Sequence, residues 1–186
     1  LYSSGSTGMP KGARHVHASP LATAKLFGQA VLGMTGNDVI FSAAKLFFAY
    51  GLGNGMSFPL SVGATTVLLP ERPTPESVLG VMRAHNPTIF CGVPTLFAAL
   101  LSAGPGKGAG STRLRTCTSA GEALPEEIGK RWQQTVGTEI IDGIGSTEML
   151  HIFVSNRPGQ VRYGSSGTPV PGYDARIPDD DGTPVA

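Results

Sequence analysis

The sequence predicts an α/β fold, with a mainly parallel sheet that is covered by helices on both faces. Short apolar segments rich in β-branched residues alternate with helical segments of roughly ten to fifteen residues, which is the pattern of βαβ units. Glycine and proline, 26 and 15 of the 186 residues, separate these segments as turns. A βαβ unit returns the chain to the same edge of the sheet through a right-handed crossover, so we expect its strands to be parallel. Ligands of such sheets bind at the carboxyl ends of the strands.

The strands and helices follow from local residue patterns. Ser19 caps the first predicted helix and Pro20 occupies its first position, where a missing N–H does no harm. Thr74 caps a later helix, which ends before Pro87 because a residue preceding proline avoids the helical conformation. The predicted strands are 38–42, 65–69, 88–92, 114–119 and 139–142. The predicted helical stretches are 19–33, a glycine-rich stretch ending near 62, 74–85, 94–102 and 125–136.

The pattern changes to short β segments and turns from Gly164 onward. Asp181-Gly182 is a hairpin signal, since such pairs supply positive φ angles. The predicted organisation is therefore an α/β region at 1–163, followed at 164–186 by the truncated start of a β-rich subdomain. We expect the chain to be an excerpt of a longer protein.

Composition excludes several classes of function. The chain has 14 basic and 13 acidic residues, a net charge of +1, and no basic patch that would favour nucleic acid. No apolar stretch reaches the roughly 18 residues of a membrane span, and no signal peptide opens the chain. Cys91 and Cys117 lie in apolar segments, which is typical of reduced thiols in a cytoplasmic protein. Neither cysteine has an evident catalytic base near it.

The most informative segment is Tyr-Ser-Ser-Gly-Ser-Thr-Gly-Met-Pro-Lys-Gly at residues 2–12. Glycines allow successive N–H groups to face an anion, hydroxyls add donors, and a lysine adds a positive charge. This combination favours a polyphosphate ligand, although the spacing is not that of the common P-loop. The alternative is a flexible Gly/Ser linker. The candidate ligands of the phosphates are Ser3, Ser4, Gly5, Ser6, Thr7, Gly8 and Lys11.

Two further clusters follow predicted strands. In Asp142-Gly143-Ile144-Gly145-Ser146-Thr147-Glu148, Thr147 can donate to a phosphate oxygen and Glu148 offers a hard oxygen ligand for Mg²⁺. Its alternative is a turn with a surface glutamate. Residues 119–125 form another glycine turn before a helix, where backbone groups can border a planar ring. The alternative is an ordinary strand-to-helix turn, because such turns often contain glycine.

Taken in order, residues 2–12, 119–125, 142–148 and 164–169 resemble the core motifs of the adenylate-forming superfamily of acyl-CoA synthetases, adenylation domains and luciferases. Residues 42–54 and 145–153 look like the benzoate-CoA ligase family, including hydroxybenzoate ligases. The resemblance implies that a carboxylate attacks the α-phosphate of ATP, pyrophosphate leaves, and the thiol of coenzyme A then displaces AMP. The implied partners are an aromatic acid, ATP and CoA, with homo-oligomerisation left open.

The resemblance also implies that 1–163 is the nucleotide- and acyl-binding region and that 164–186 begins a barrel-like subdomain. It further implies roles for individual residues. The 3–11 loop would hold the β- and γ-phosphates, Thr147 the α-phosphate, and Glu148 the magnesium ion, so that Lys11, Thr147 and Glu148 carry the chemistry. The nucleotide-binding set would be Gly121, Glu122, Ala123, Asp142, Gly143, Ile144, Gly145, Ser146 and Thr147, with Asp142 near the adenine amino group. Many relatives have tyrosine at the position of Ile144, which here offers only apolar contact to adenine.

The implied acid pocket consists of Phe48, Ala49, Tyr50, Gly121 and His151. Aromatic walls favour a flat aromatic acid. Ordinary core packing is the alternative for Phe48 and Tyr50, and a core or surface position is the alternative for His151. Core packing is the preferred interpretation for Phe47. We expect Lys45 to be a solvated charge at the pocket mouth.

Two other interpretations of the function stay open. One is an aryl-acid adenylation domain that loads a carrier protein, and the other is a non-catalytic nucleotide-binding module. In the adenylate-forming superfamily the ribose-binding aspartate and the C-terminal catalytic lysine lie beyond the position of Ala186, so the isolated chain is expected to be inactive. His15 and His17 have the spacing of one strand face, but no further ligand for a metal lies near them.

Overall fold

A computed structural model describes residues 1–3 and 8–185 of the chain. Its central sheet has seven strands in the order β4-β3-β5-β6-β7-β8-β9. The strands of this sheet are β3 (Val39–Ser42), β4 (Thr65–Leu68), β5 (Ile89–Gly92), β6 (Thr116–Ser119), β7 (Ile140–Gly145), β8 (Ile152–Ser155) and β9 (Thr168–Pro169). The pairs among β3 to β7 are parallel, whereas β8 and β9 are antiparallel to their neighbours. The predicted α/β class with a mainly parallel sheet is confirmed.

Two short hairpins lie outside this sheet. One joins β1 (Tyr2–Ser3) to β2 (Lys11–Gly12), and the other joins β10 (Ile177–Pro178) to β11 (Pro184–Val185). Gly182 has φ +83° in the second hairpin, as the Asp-Gly signal predicts. The division of the chain at 163/164 stays a prediction.

Helices cover both faces of the sheet. The α-helices are α1 (Ala18–Thr23), α2 (Ala49–Leu52), α3 (Phe58–Val62), α4 (Pro75–His85), α5 (Pro94–Ser102) and α6 (Glu126–Val136). Two π-helical segments, Ala24–Gln29 and Gly53–Ser57, and one 3₁₀ turn, Lys107–Gly110, complete the described helices. None of the helices in residues 1–3 and 8–185 is long and apolar enough to span a membrane.

The alternation of side chains along each strand builds two hydrophobic cores. On β3, Phe41 packs in the core that includes Phe97 of α5 and Trp132 of α6. Its neighbour Ile40 packs in the opposite core, with Phe27 and other residues near α1 and α3. Successive strand residues point to opposite faces, so both faces of the sheet are buried, as expected for parallel strands.

Most predicted boundaries agree with the structure within a few residues. Thr74 forms a capping box with Ser77 at the start of α4. The first helix differs, because it begins at Ala18 with His17 at its N-cap, makes no side-chain cap bond, and continues as a π-helix. The prediction that His15 and His17 share a strand face is wrong, since β2 ends at Gly12.

Candidate active site

The carboxyl ends of the parallel strands form one edge of the sheet, and the site lies there. The register pairs Ser42 with Cys91, Gly92 with Ser119, and Ser119 with Asp142. The loops that follow β3, β5, β6 and β7 therefore emerge side by side. This brings together segments that are about a hundred residues apart in sequence, and parallel sheets commonly bind ligands in this position.

A cavity of about 470 Å³ opens at this edge. Nine of the residues predicted from the sequence line it: Phe48, Ala49, Tyr50, Gly121, Glu122, Gly145, Ser146, Thr147 and His151. The structure adds Ala44, Val93, Ala120 and Ile152, none of which is an individually predicted site residue. These four are small or aliphatic side chains in strand ends and loops, so no chemical signal marked them. The cavity joins the predicted acid-binding residues to part of the predicted nucleotide-binding set.

His151 is enclosed by aromatic rings at the inner end of this cavity. Its ring centroid lies 5.0 Å from that of Phe27, 4.5 Å from Phe58 and 5.6 Å from Tyr50, the last in a stacked arrangement. The side chain is 2% exposed, and burial lowers its pKa to about 3. The imidazole is therefore neutral at physiological pH. Within the described part of the chain, neither ring nitrogen has a hydrogen-bond partner, so both are buried polar atoms that remain unsatisfied.

The local backbone explains how this histidine fits. A Cβ atom on Gly53 would lie closer to His151 Cδ2 than van der Waals contact allows. Gly53 opens the π-helical segment between α2 and α3, and such segments occur often at functional sites. A glycine at this position is therefore a steric requirement of the histidine.

Tyr50 forms a fixed wall of the cavity. Its hydroxyl donates a 2.8 Å hydrogen bond to the carbonyl of Thr118 on β6. Burial raises its pKa well above the usual value, so the hydroxyl stays protonated and keeps this bond. Since the hydroxyl is already bonded, the part of Tyr50 that can contact a planar ligand is its aromatic ring.

Phe47 and Phe48 are both exposed, and of the two only Phe48 lines the cavity. The prediction that Phe47 packs in the core is wrong, because it is 68% exposed, with its ring 4.5 Å from that of Phe48. Phe48 lines both the main cavity and a second one of about 400 Å³. It therefore forms part of the wall between them.

Lys45 also differs from its prediction as a solvated charge. Its ammonium group donates to the carbonyls of Leu69, Pro70 and Glu71 at 2.6, 3.1 and 2.6 Å. All three donors of the ammonium group are thus used. Lys45 ties the loop before α2 to the loop after β4, next to Phe48.

Asp142 is a buried carboxylate at the end of the β6–β7 pair. Its exposed fraction is 5%, and burial raises its pKa to about 6. Oδ2 accepts a long, 3.5 Å bond from the Leu124 N–H. The nearby Ser119 hydroxyl and Gly143 N–H hold the pKa below the value that burial alone would give, whereas Oδ1 has no partner of good hydrogen-bond geometry among the described residues. An incoming N–H donor would satisfy this oxygen. Four predicted nucleotide-binding residues do not line the main cavity: Ala123, in the turn after β6, and Asp142, Gly143 and Ile144, on β7.

Those predicted phosphate and metal ligands that the structure describes lie on the first hairpin and on the turn after β7. Ser3 pairs with Lys11 across the first hairpin, and Gly8 has φ +118°, a conformation that favours glycine. Lys11 and Glu148 are exposed, and Thr147 is half-buried. Ser4, Gly5, Ser6 and Thr7 lie outside the described residues. Glu148 suits Mg²⁺, which usually takes one or two protein carboxylates together with substrate phosphates. The described residues contain no cluster of three or more potential metal ligands.

Comparison with known proteins decides the family. The profile of AMP-binding enzymes matches residues 1–186. The chain belongs to the AMP-binding enzyme family. The adenylate-forming resemblance inferred from the motifs is thereby confirmed.

Individual relatives show which kind of AMP-binding enzyme the chain resembles. The chain is 60% identical over 185 residues to the benzoate-CoA ligase of Thauera aromatica, covering 100% of this chain and 35% of the relative. It is 53% identical to a 4-hydroxybenzoate-CoA/benzoate-CoA ligase of Rhodopseudomonas palustris, covering 100% and 34%. A crystal structure of a benzoate CoA ligase from Burkholderia xenovorans LB400 superimposes with a TM-score of 0.93 at 55% identity, covering 100% and 37%. The chain thus spans about a third of the length of these relatives.

Proposed function

We propose that the protein containing this chain activates benzoate or a ring-substituted benzoate with ATP and transfers the acyl group to coenzyme A. The observation that carries the proposal is the cavity in which Phe48 and Tyr50 are joined to a buried, neutral His151. Aromatic walls favour a planar ring by offset and edge contacts. The names of the similar ligases agree with this substrate class.

The proposed chemistry begins when the acid's carboxylate attacks the α-phosphate of ATP and pyrophosphate leaves. Thr147, which lines the cavity, is proposed to donate to the α-phosphate, and Lys11 is proposed to stabilise the departing pyrophosphate. Preorganised donors act most strongly where charge develops in the transition state. Mg²⁺, proposed at Glu148, would neutralise charge on the phosphate oxygens when bound.

The nucleotide base is proposed to lie between the turn at 121–123 and the carboxyl end of β7 at 142–145. Asp142 supports this arrangement, because its unpartnered Oδ1 can accept a hydrogen bond from the adenine amino group. A carboxylate in that position favours adenine over a base that presents a carbonyl there, since two acceptors would face each other unpaired. Ile144, which is 48% exposed, would add apolar contact.

The acceptor of the acyl group is proposed to be coenzyme A. The second cavity supports a separate approach for a thiol, because it shares Ala44, Phe48 and Val93 with the main cavity. Arg72 lines this second cavity and offers a positive charge to an anionic acceptor. A cytoplasmic location belongs to the same proposal and is supported by the two free, buried cysteines. Assembly into homo-oligomers is left open.

ATP–pyrophosphate exchange by the intact protein is the decisive assay. We expect exchange with benzoate and substituted benzoates and much weaker exchange with palmitate, because the aromatic pocket suits a planar ring. A preference for palmitate would overturn the acid assignment. Exchange with no acid at all would favour a non-catalytic nucleotide-binding module. Offering coenzyme A and a phosphopantetheinyl carrier protein after exchange distinguishes the ligase from a carrier-loading adenylation domain.

A further inference from the structure

His15 connects two motifs that are far apart in sequence. Its Nε2 lies 2.9 Å from the carbonyl oxygen of Thr147, across 132 residues, and the contact is partly buried. Because a carbonyl only accepts, Nε2 carries the hydrogen and donates it. His15 follows the first hairpin, whose ends are closed by a 2.8 Å bond from the Ala13 N–H to the Leu1 carbonyl. The imidazole thus links the segment after Lys11 to the turn that carries Thr147 and Glu148.

The turn at 146–150 has a strained conformation that needs such support. Leu150 has φ +64°, a left-handed conformation that is unfavourable for a branched side chain. Its N–H donates to the same Thr147 carbonyl at 3.2 Å, and the Met149 N–H donates to Ser146 Oγ at 3.1 Å. The Thr147 carbonyl therefore accepts both a bond that closes the turn and the bond from His15.

We propose that His15 is a positioning residue for adenylation, which rests on the proposed function. Its hydrogen bond fixes the turn bearing Thr147 and Glu148 relative to the hairpin bearing Lys11. Attack at the α-phosphate and departure of pyrophosphate require these two segments to hold one nucleotide together. Displacements on the order of 1 Å can lower catalytic rates strongly. His15 itself touches no reacting atom and acts through the Thr147 carbonyl.

Exchange kinetics of His15→Leu in the intact protein test this role. We expect kcat to fall and KM for ATP to rise, with a combined loss in kcat/KM of roughly 2- to 10-fold, the value of one hydrogen bond. KM for benzoate should change little. His15→Gln should restore activity, because its amide nitrogen reaches the position of Nε2, whereas the shorter His15→Asn should not. His85→Leu, at an exposed histidine at the end of α4, is the matched control.

Hydrogen–deuterium exchange separates this proposal from the proposed function. In His15→Leu, the amides of Met149 and Leu150 should exchange faster, while His15→Gln and His85→Leu should match the original protein. If the original protein shows no pyrophosphate exchange, the proposed function fails, and faster amide exchange still demonstrates the structural link. Unchanged amide exchange overturns the proposal. A fall in kcat with both KM values unchanged and a lower melting temperature also overturns it, because that result indicates a merely structural role.

Discussion

Replacing Asp142 with asparagine should stabilise the folded protein at neutral pH. Asp142 is 5% exposed, and its Oδ1 has no hydrogen-bond partner in residues 1–3 and 8–185. Burial raises its pKa from 3.8 to about 6, so the ionised form is disfavoured in the folded state. Since each pKa unit corresponds to about 1.4 kcal/mol, keeping this carboxylate ionised costs at most about 3 kcal/mol. Asparagine removes the buried charge and keeps the shape.

The sign of the pH dependence follows from the raised pKa. Below pH 3.8 Asp142 is protonated in both the folded and unfolded protein, so it imposes no penalty. As pH rises through about 6, the unfolded state is already ionised and the penalty approaches its full value. The advantage of Asp142→Asn in the free energy of unfolding should therefore be largest near pH 7.5 and fall to roughly half of that at pH 5.

Urea unfolding of the intact protein at both pH values measures this advantage, and Asp38→Asn is the matched control. Asp38 is also buried, which by itself raises its pKa, but hydrogen bonds from Arg115, Thr88 and Thr35 outweigh burial and lower the pKa to about 2. Its contribution of about 2.5 kcal/mol is present above pH 3.8 and lost as pH falls through about 2, so Asp38→Asn should destabilise the protein equally at pH 7.5 and 5. A lower stability of Asp142→Asn at pH 7.5, or a pH-independent gain, would refute the reasoning.

Three further outcomes are expected. Glu148→Gln should reduce pyrophosphate exchange most at limiting Mg²⁺, because it removes a charged oxygen ligand; equal activity across a magnesium titration would contradict that role. Lys45→Met should lower the free energy of unfolding by about 1.5–3 kcal/mol in urea, because it removes a charged donor from three carbonyls, with Lys45→Arg as the conservative control. Gly53→Ala should raise KM for benzoate, because the added methyl displaces His151, whereas Gly80→Ala on α4, which has open space around it, should leave KM unchanged.

The sequence predicted the parts of the site that local chemistry marks. Strand ends followed by glycine turns identified the loops at 119–125 and 142–148, and the parallel register brings Ser119 and Asp142 together. The antiparallel strand β8 was not predicted, because a four-residue apolar segment after a turn has no distinctive period. Phe47 and Phe48 are adjacent aromatic residues, and their exposure depends on what surrounds the loop, not on their own pattern.

The long-range hydrogen bonds of ordinary polar side chains could not be predicted from the sequence. Lys45 donates to carbonyls 24 to 26 residues away, and His15 donates to a carbonyl 132 residues away. Every residue has a backbone carbonyl, so the residue type does not show which carbonyl accepts a hydrogen bond. Neither partner could therefore be recognised from the sequence. Both contacts restrain loops at the edge of the cavity.

The two buried carboxylates at opposite ends of the sheet show how stability and ligand binding are divided in this fold. Asp38 precedes the amino end of β3 and accepts two bonds from the Arg115 guanidinium, each of 2.9 Å. Asp142 lies on β7 opposite Ser119, the last residue of β6, and therefore at the carboxyl edge of the sheet, with Oδ1 left unpartnered by the described residues. A buried charge without a partner lowers stability unless a ligand supplies the missing donor. The stability that Asp142 costs is therefore expected to be recovered when the nucleotide binds, so ATP should raise the melting temperature of the original protein more than that of Asp142→Asn.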